Sequence, residues 1–66
     1  MKIFLNGERA ECGEGATVSQ LMGQYGLPRE ATLVEHNGVA LRRKEWEEQR
    51  LQENDRVEVL RVAAGG

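Results

Sequence analysis

The chain holds one histidine, His36, and one cysteine, Cys12, in 66 residues. Nucleophilic catalysis needs a nucleophile within hydrogen-bond reach of a base, and a third group to orient that base. Here the two side chains fall in separate predicted strands, and no Ser/His/Asp order is evident. Cys12 follows the alternation of Ala10 against Arg9 and Glu11, as a small buried hydrophobe would. His36 keeps the parity of Val34 and leans towards the edge of a core, and no partner ligands flank it, so no metal is expected. Gly13-x-Gly15 lacks the further glycines and lysine of a phosphate loop and reads as a turn. The charged run between Arg42 and Asp55 reads as a solvated surface. Catalysis by a side chain is therefore not expected.

Gly65-Gly66 offers backbone chemistry instead. The bland reading is a frayed terminus. Glycine has no Cβ, however, and can pass through a channel closed to other residues. Ala63, Ala64, Gly65 and Gly66 are expected to form a flexible tail beyond a domain spanning 1–62. Four extended residues reach roughly 13 Å. If Gly66 is the chain end, its carboxylate, with a pKa near 3.5, is ionised at neutral pH and a poor electrophile. Conversion to an acyl-adenylate with ATP would open it to a sulfur or amine nucleophile.

Composition narrows the field. Nine Lys and Arg against eleven Asp and Glu leave a net charge of −2. A nucleic-acid binder would need a basic face for phosphates, so none is expected. No apolar run approaches the roughly 20 residues of a membrane span. One cysteine forbids an intramolecular disulfide, and the opening Met1-Lys2-Ile3-Phe4-Leu5-Asn6 turns polar too early for a signal peptide. A cytoplasmic protein, monomeric when free, is the expectation. A chain this short buries only about 60% of its unfolded surface, too little for a deep enclosed site.

The elements follow from punctuation and period. Asn6-Gly7 between Ile3–Leu5 and Glu8–Cys12 predicts a hairpin with a type I′ turn, since both residues tolerate positive φ. Thr17 and Gln20 form a capping-box pattern, and Val18, Leu21, Met22 and Tyr25 make one apolar stripe of a helix over 17–25. Gly26 is placed for the left-handed cap, with Leu27-Pro28 as the stop. Thr32–His36, Asn37-Gly38 and Val39–Leu41 predict a second hairpin. Lys44–Arg50 reads as an irregular helical turn pinned by Trp46, residues 52–55 as a turn, and Val57–Val62 as the last strand. The class is α+β, with one face of a sheet under the helix. Ile3, Leu5, Val18, Leu21, Met22, Val34, Val57 and Val59 are expected to line the helix–sheet interface.

The ordered set of these features resembles the ubiquitin-like sulfur carriers, and most closely the ThiS family of thiamine-biosynthesis sulfur carriers. The resemblance runs the whole length. It rests on Asn6-Gly7, Thr17-Val18, Asn37-Gly38, Arg43 with Trp46, Leu51 leading to Asp55-Arg56-Val57-Glu58-Val59, and Gly65-Gly66. The chain departs from many relatives at Arg42, Asn54 and His36; Asn54 still supports a left-handed turn. The resemblance implies a β-grasp fold, a mixed sheet whose last strand lies parallel to and beside the first. It also implies that no cofactor is bound and that no side chain is catalytic. A partner adenylyltransferase of the ubiquitin-activating type would use ATP and Mg²⁺ to adenylate Gly66. A persulfide sulfur derived from cysteine, made by a cysteine desulfurase, would then leave a thiocarboxylate for thiazole synthase.

Other readings share the fold. A carrier for molybdopterin, cysteine or homocysteine synthesis, a ubiquitin-like modifier of lysines, and an inert interaction module remain alternatives. Alternation puts Phe4 opposite to Ile3 and Leu5, and Leu60 opposite to Val59. If the first and last strands are neighbours, Phe4 and Leu60 are expected to meet on the open face as a partner-docking patch, with Leu41 extending it. The competing expectation is that the segment around Trp46 folds over them.

Overall fold

A computed structural model describes residues 1–62. Strands β1 (Lys2–Leu5) and β2 (Glu8–Glu11) form the first hairpin. Asn6 and Gly7 have φ of 51° and 83°, the positive pair that a type I′ turn requires. Helix α1 (Val18–Gln24) follows, then β3 (Thr32–His36), β4 (Val39–Leu41), a 3-10 turn over Arg43–Glu47, and β5 (Arg56–Arg61). The sheet order is β2-β1-β5-β3-β4. β5 runs parallel to β1 and antiparallel to β3, and the remaining pairs are antiparallel. The expected parallel neighbour relation of first and last strands is therefore present.

Both ends of α1 are fixed by the predicted residues. The Thr17 hydroxyl accepts from Gln20 N–H at 3.1 Å, and the Gln20 side chain accepts from Thr17 N–H at 2.9 Å. At the other end Gly26 takes φ of 64°, Gly26 N–H donates to Gly23 O and Leu27 N–H to Met22 O. That pair of bonds is a Schellman cap, which satisfies carbonyls the helix leaves open. Tyr25 departs from the expected stripe. It caps the helix and is half-exposed, and its hydroxyl both donates to Glu11 O and accepts from Glu11 N–H. A phenol with an apolar body and a polar tip suits such a rim.

The core gathers Ile3, Val18, Leu21, Met22, Val34, Val57 and Val59 between α1 and one sheet face, with Leu5 partly buried against it. Trp46 belongs to the same cluster at 1% exposure. The 3-10 turn packs against α1, so this segment closes the helix side of the core, while Leu33 and Leu60 on the other sheet face stand exposed among the described residues. Leu51 N–H donates to Ala16 O, and Val18 N–H to Gln49 O, which clips the irregular segment to the helix start. Asn54 has φ of 70°, the left-handed turn its side chain tolerates.

No helix among the described residues is long and apolar enough to cross a membrane. No group of three His, Cys, Asp or Glu side chains among them is placed to hold a metal ion.

Candidate functional site: β5 and the open face

The expected reactive residues, Ala63, Ala64, Gly65 and Gly66, lie outside the described residues. The described chain leads into them through β5, and the fold grips that strand from both sides. β5 is central, paired with β1 and β3. β1 ends at Leu5, which leaves the upper half of β5 without a backbone partner on that side. The Asn6 amide fills the gap: its Oδ1 accepts from Val59 N–H at 2.7 Å, while Asn6 N–H donates to Val57 O at 2.9 Å. On the other side Asn37 Oδ1 accepts from Arg56 N–H at 2.8 Å, and Asn37 N–H donates to Arg56 O at 2.8 Å. Each asparagine thus does two jobs. Its backbone makes the hairpin turn and its side chain clamps the strand that feeds the tail. The sequence reading found the turns and missed the clamps, because nothing in Asn-Gly itself says where the amide points. The last described bond, Val62 N–H to Ala31 O at 2.7 Å, holds the root of the tail.

A second cluster was also missed. Asp55 accepts from Gln52 N–H at 2.9 Å and from Asn37 Nδ2 at 3.2 Å, and its Oδ2 lies 2.7 Å from His36 Nε2. Burial pushes the Asp55 carboxyl up, but the hydrogen bonds from His36, Gln52 and Asn37 outweigh it and hold the group below the usual aspartate value. His36 sits opposite Val57 at the start of β5. The pair ties the end of β3 to the segment before β5, at the opposite end of β5 from Arg61. Cys12 is buried as expected, and burial pushes its thiol up. A protonated, enclosed thiol is a poor nucleophile.

The open face corrects the expected docking patch in two places. Leu41 is cross-strand from Val34, and partners directly opposite project from the same face. Leu41 therefore packs against the core and does not extend the open face. Phe4 is on the open face but pairs with Arg56, four positions before Leu60 on β5. At about 3.3 Å per residue, Phe4 and Leu60 are roughly 13 Å apart along the strand and do not meet. Phe4 instead carries the Arg9 guanidinium over its ring at 5.1 Å. The neighbour of Leu60 is Leu33, directly across on β3; the two are 53% and 58% exposed. The register of β3 against β5 decides this, and alternation within each strand could not supply it.

A five-stranded mixed sheet of this order, with one helix across one face, is the ubiquitin-like β-grasp fold. The family description "ThiS family" matches residues 3–66. The chain belongs to the ThiS family. It is 27% identical to the sulfur carrier protein ThiS of Escherichia coli over 66 residues, which is the whole of both chains. It is 36% identical to a thiazole synthase of Magnetococcus marinus over all its 66 residues, which are 20% of that protein. The chain thus spans a fifth of that relative's length. Among solved structures, the crystal structure of the thiamine biosynthesis protein ThiS from Geobacter metallireducens is similar with a TM-score of 0.87 and 28% identity, covering both chains completely. The solution structure of a thiamine biosynthesis protein from the same organism gives 0.80 and 28%, covering this chain fully and 88% of that one.

Proposed function

We propose that this chain is a sulfur carrier for thiazole formation in thiamine biosynthesis, acting through the carboxylate of Gly66. The observation that carries the reading is the family match, which extends over 3–66 and so takes in Gly65 and Gly66. The thiazole synthase relative favours the thiazole pathway over molybdopterin, cysteine or homocysteine synthesis, since a segment of that protein is similar to this entire chain.

The chemistry follows from the poor reactivity of a carboxylate. A Gly66 oxygen attacks the α-phosphorus of ATP, pyrophosphate leaves, and an acyl-adenylate forms. A partner adenylyltransferase of the ubiquitin-activating type supplies the ATP and Mg²⁺ site. The terminal sulfur of a persulfide, drawn from cysteine by a desulfurase, displaces AMP. A second thiol then cleaves the acyl disulfide, leaving the thiocarboxylate, and thiazole synthase consumes that sulfur. No side chain of the carrier takes part, so the chain is a cosubstrate and not an enzyme. Residues 1–62 serve as the handle and 63–66 as the arm that enters each partner's site. Leu33 and Leu60, near the root of the arm, dock the partner, with Phe4 at the far end of the same face. A cytosolic setting suits a protein that keeps its cysteine reduced.

The test is reconstitution with adenylyltransferase, ATP, Mg²⁺, cysteine and desulfurase, followed by intact-mass measurement. Replacement of one C-terminal oxygen by sulfur is expected. Lysine adducts would make the chain a modifier, and an unchanged end would overturn the carrier reading. Deleting Gly66, or extending the chain past it, is expected to abolish ATP–pyrophosphate exchange while the melting curve stays that of the parent.

A further inference from the structure

The open face is built in rungs of different chemistry, fixed by the β3–β5 register. Leu60 pairs with Leu33, Glu58 with Glu35, and Arg56 lies at the next open-face position of β5, beside Phe4. The glutamate rung is the anomaly. Directly opposed residues in an antiparallel pair hold their Cβ atoms about 4.5–5.5 Å apart, and like charges there are destabilising. Neither carboxylate takes part in any ion pair among the described residues. Ala40, the cross-strand partner of Glu35 on β4, brings no charge. On the β1 side the Asn6 amide oxygen is committed to Val59 N–H. Arg56 shares the Glu58 side of a shallow depression of about 280 Å³ with Phe4 and Gly7, but makes no ion pair with Glu58.

We infer that the Glu35–Glu58 rung receives a basic side chain of the activating protein, and that Leu33–Leu60 receives an apolar side chain from the same segment. The proposal rests on the carrier reading and deepens it by fixing the chemistry of the docking partner. The two rungs are two residues apart, so the partner's cation and apolar contact sit about 7 Å from one another. One polarity is thereby set along β5. The apolar contact lies nearer the tail and the cation farther from it, which orients the domain with its arm towards the adenylation site. A phosphate-bearing surface is the wrong occupant, because the two carboxylates would repel it. Complementary charge of this kind acts on encounter and register more than on area.

The measurement compares the parent with E35Q/E58Q and with E58K. ATP–pyrophosphate exchange is followed against carrier concentration, using an adenylyltransferase encoded in the same genome, at low and high salt. Thermal melts are run in parallel. E35Q/E58Q is expected to melt at or above the parent, since a repulsion has been removed, yet to need on the order of tenfold more carrier for half-maximal exchange. The deficit should shrink at high salt, and E58K should be worse at low salt. An unchanged concentration dependence overturns the rung while leaving the carrier reading intact. A melting temperature that falls together with exchange assigns the glutamates a structural role and also overturns it. If the parent itself shows no exchange, the carrier reading fails and the inference fails with it.

Discussion

The two faces of this sheet come from the same strands and obey opposite rules. On the helix side Ile3, Val34, Val57 and Val59 are buried under α1 in one apolar cluster, with Thr32 and His36 of the same parity at its two ends. On the other side the same strands present Phe4, Leu33, Leu60 and a rung of opposed glutamates. A one-residue slip in any strand would exchange the two sets, so the buried face carries the register for both. The open face has no folding obligation. Its pattern is free to describe something outside the molecule, and an arrangement unfavourable within the domain is informative there.

Substitution separates the faces most sharply at their apolar residues. Leu21 is fully buried on α1, and Leu21→Ala is expected to cost about 2–5 kcal/mol. Total stability of a domain this size is roughly 3–10 kcal/mol, at about 0.05–0.15 per residue. Denaturant melts should show most of the transition lost. Leu60→Ser, on the open face, is expected to shift the same curve by no more than about 0.5 kcal/mol. A comparable loss from both would erase the distinction between the faces.

The asparagine clamps give an intermediate effect, because they act at the seam between the faces. Asn6→Gly keeps a residue that accepts positive φ, so the turn survives. It removes the acceptor of Val59 N–H, and Val59 is a buried position. Leaving a buried donor unsatisfied costs about 1–3 kcal/mol. Amide exchange at Val59 should accelerate by more than that at Val34, whose ladder to β4 is untouched. Equal acceleration at both would mean that the turn, not the clamp, was lost.

The legibility of the fold follows the same division. Hairpin turns, helix caps and the core stripe are encoded locally, within a few residues, and each was readable at Asn6-Gly7, Thr17 with Gln20, Gly26 and Asn37-Gly38. Trp46 was readable as an anchor because it is the one large apolar residue in a charged run. What could not be read depends on contacts distant in sequence. The parity of Phe4 and Leu60 was right, but their separation is set by which residue of β1 meets Arg56. The face of Leu41 is set by its pairing with Val34, and the Asp55 cluster by the meeting of a hairpin turn with the loop before β5. The expected chemistry of the site was legible for another reason: it needs no side-chain constellation, only glycines after a strand.

The smallest expected effect lies at the rim of the buried face, where it can be told from the core by pH. His36 shares the parity of Val57, and its side chain and that of Asp55 are only 15% and 13% exposed. The three hydrogen bonds to Asp55 all favour the ionised carboxylate, so its folded pKa lies below the ordinary 3.8 of an aspartate. The sign follows from linkage. A carboxyl with a depressed folded pKa adds stability that is fully present above its unfolded pKa. That stability is lost as pH falls through the folded value. Asp55→Asn removes the ionisation while retaining one acceptor oxygen for Gln52 N–H. The variant should therefore melt below the parent at pH 5, and the gap should narrow as pH falls below about 3.8. Leu21→Ala carries no such ionisation, and its deficit should hold across the same interval. Melts of parent and both variants from pH 5 to pH 2.5 provide the check. If the Asp55→Asn gap stays constant through the acid limb, the cluster contributes by packing alone. The rim then belongs with the core, and not with the charged groups that the fold holds in place.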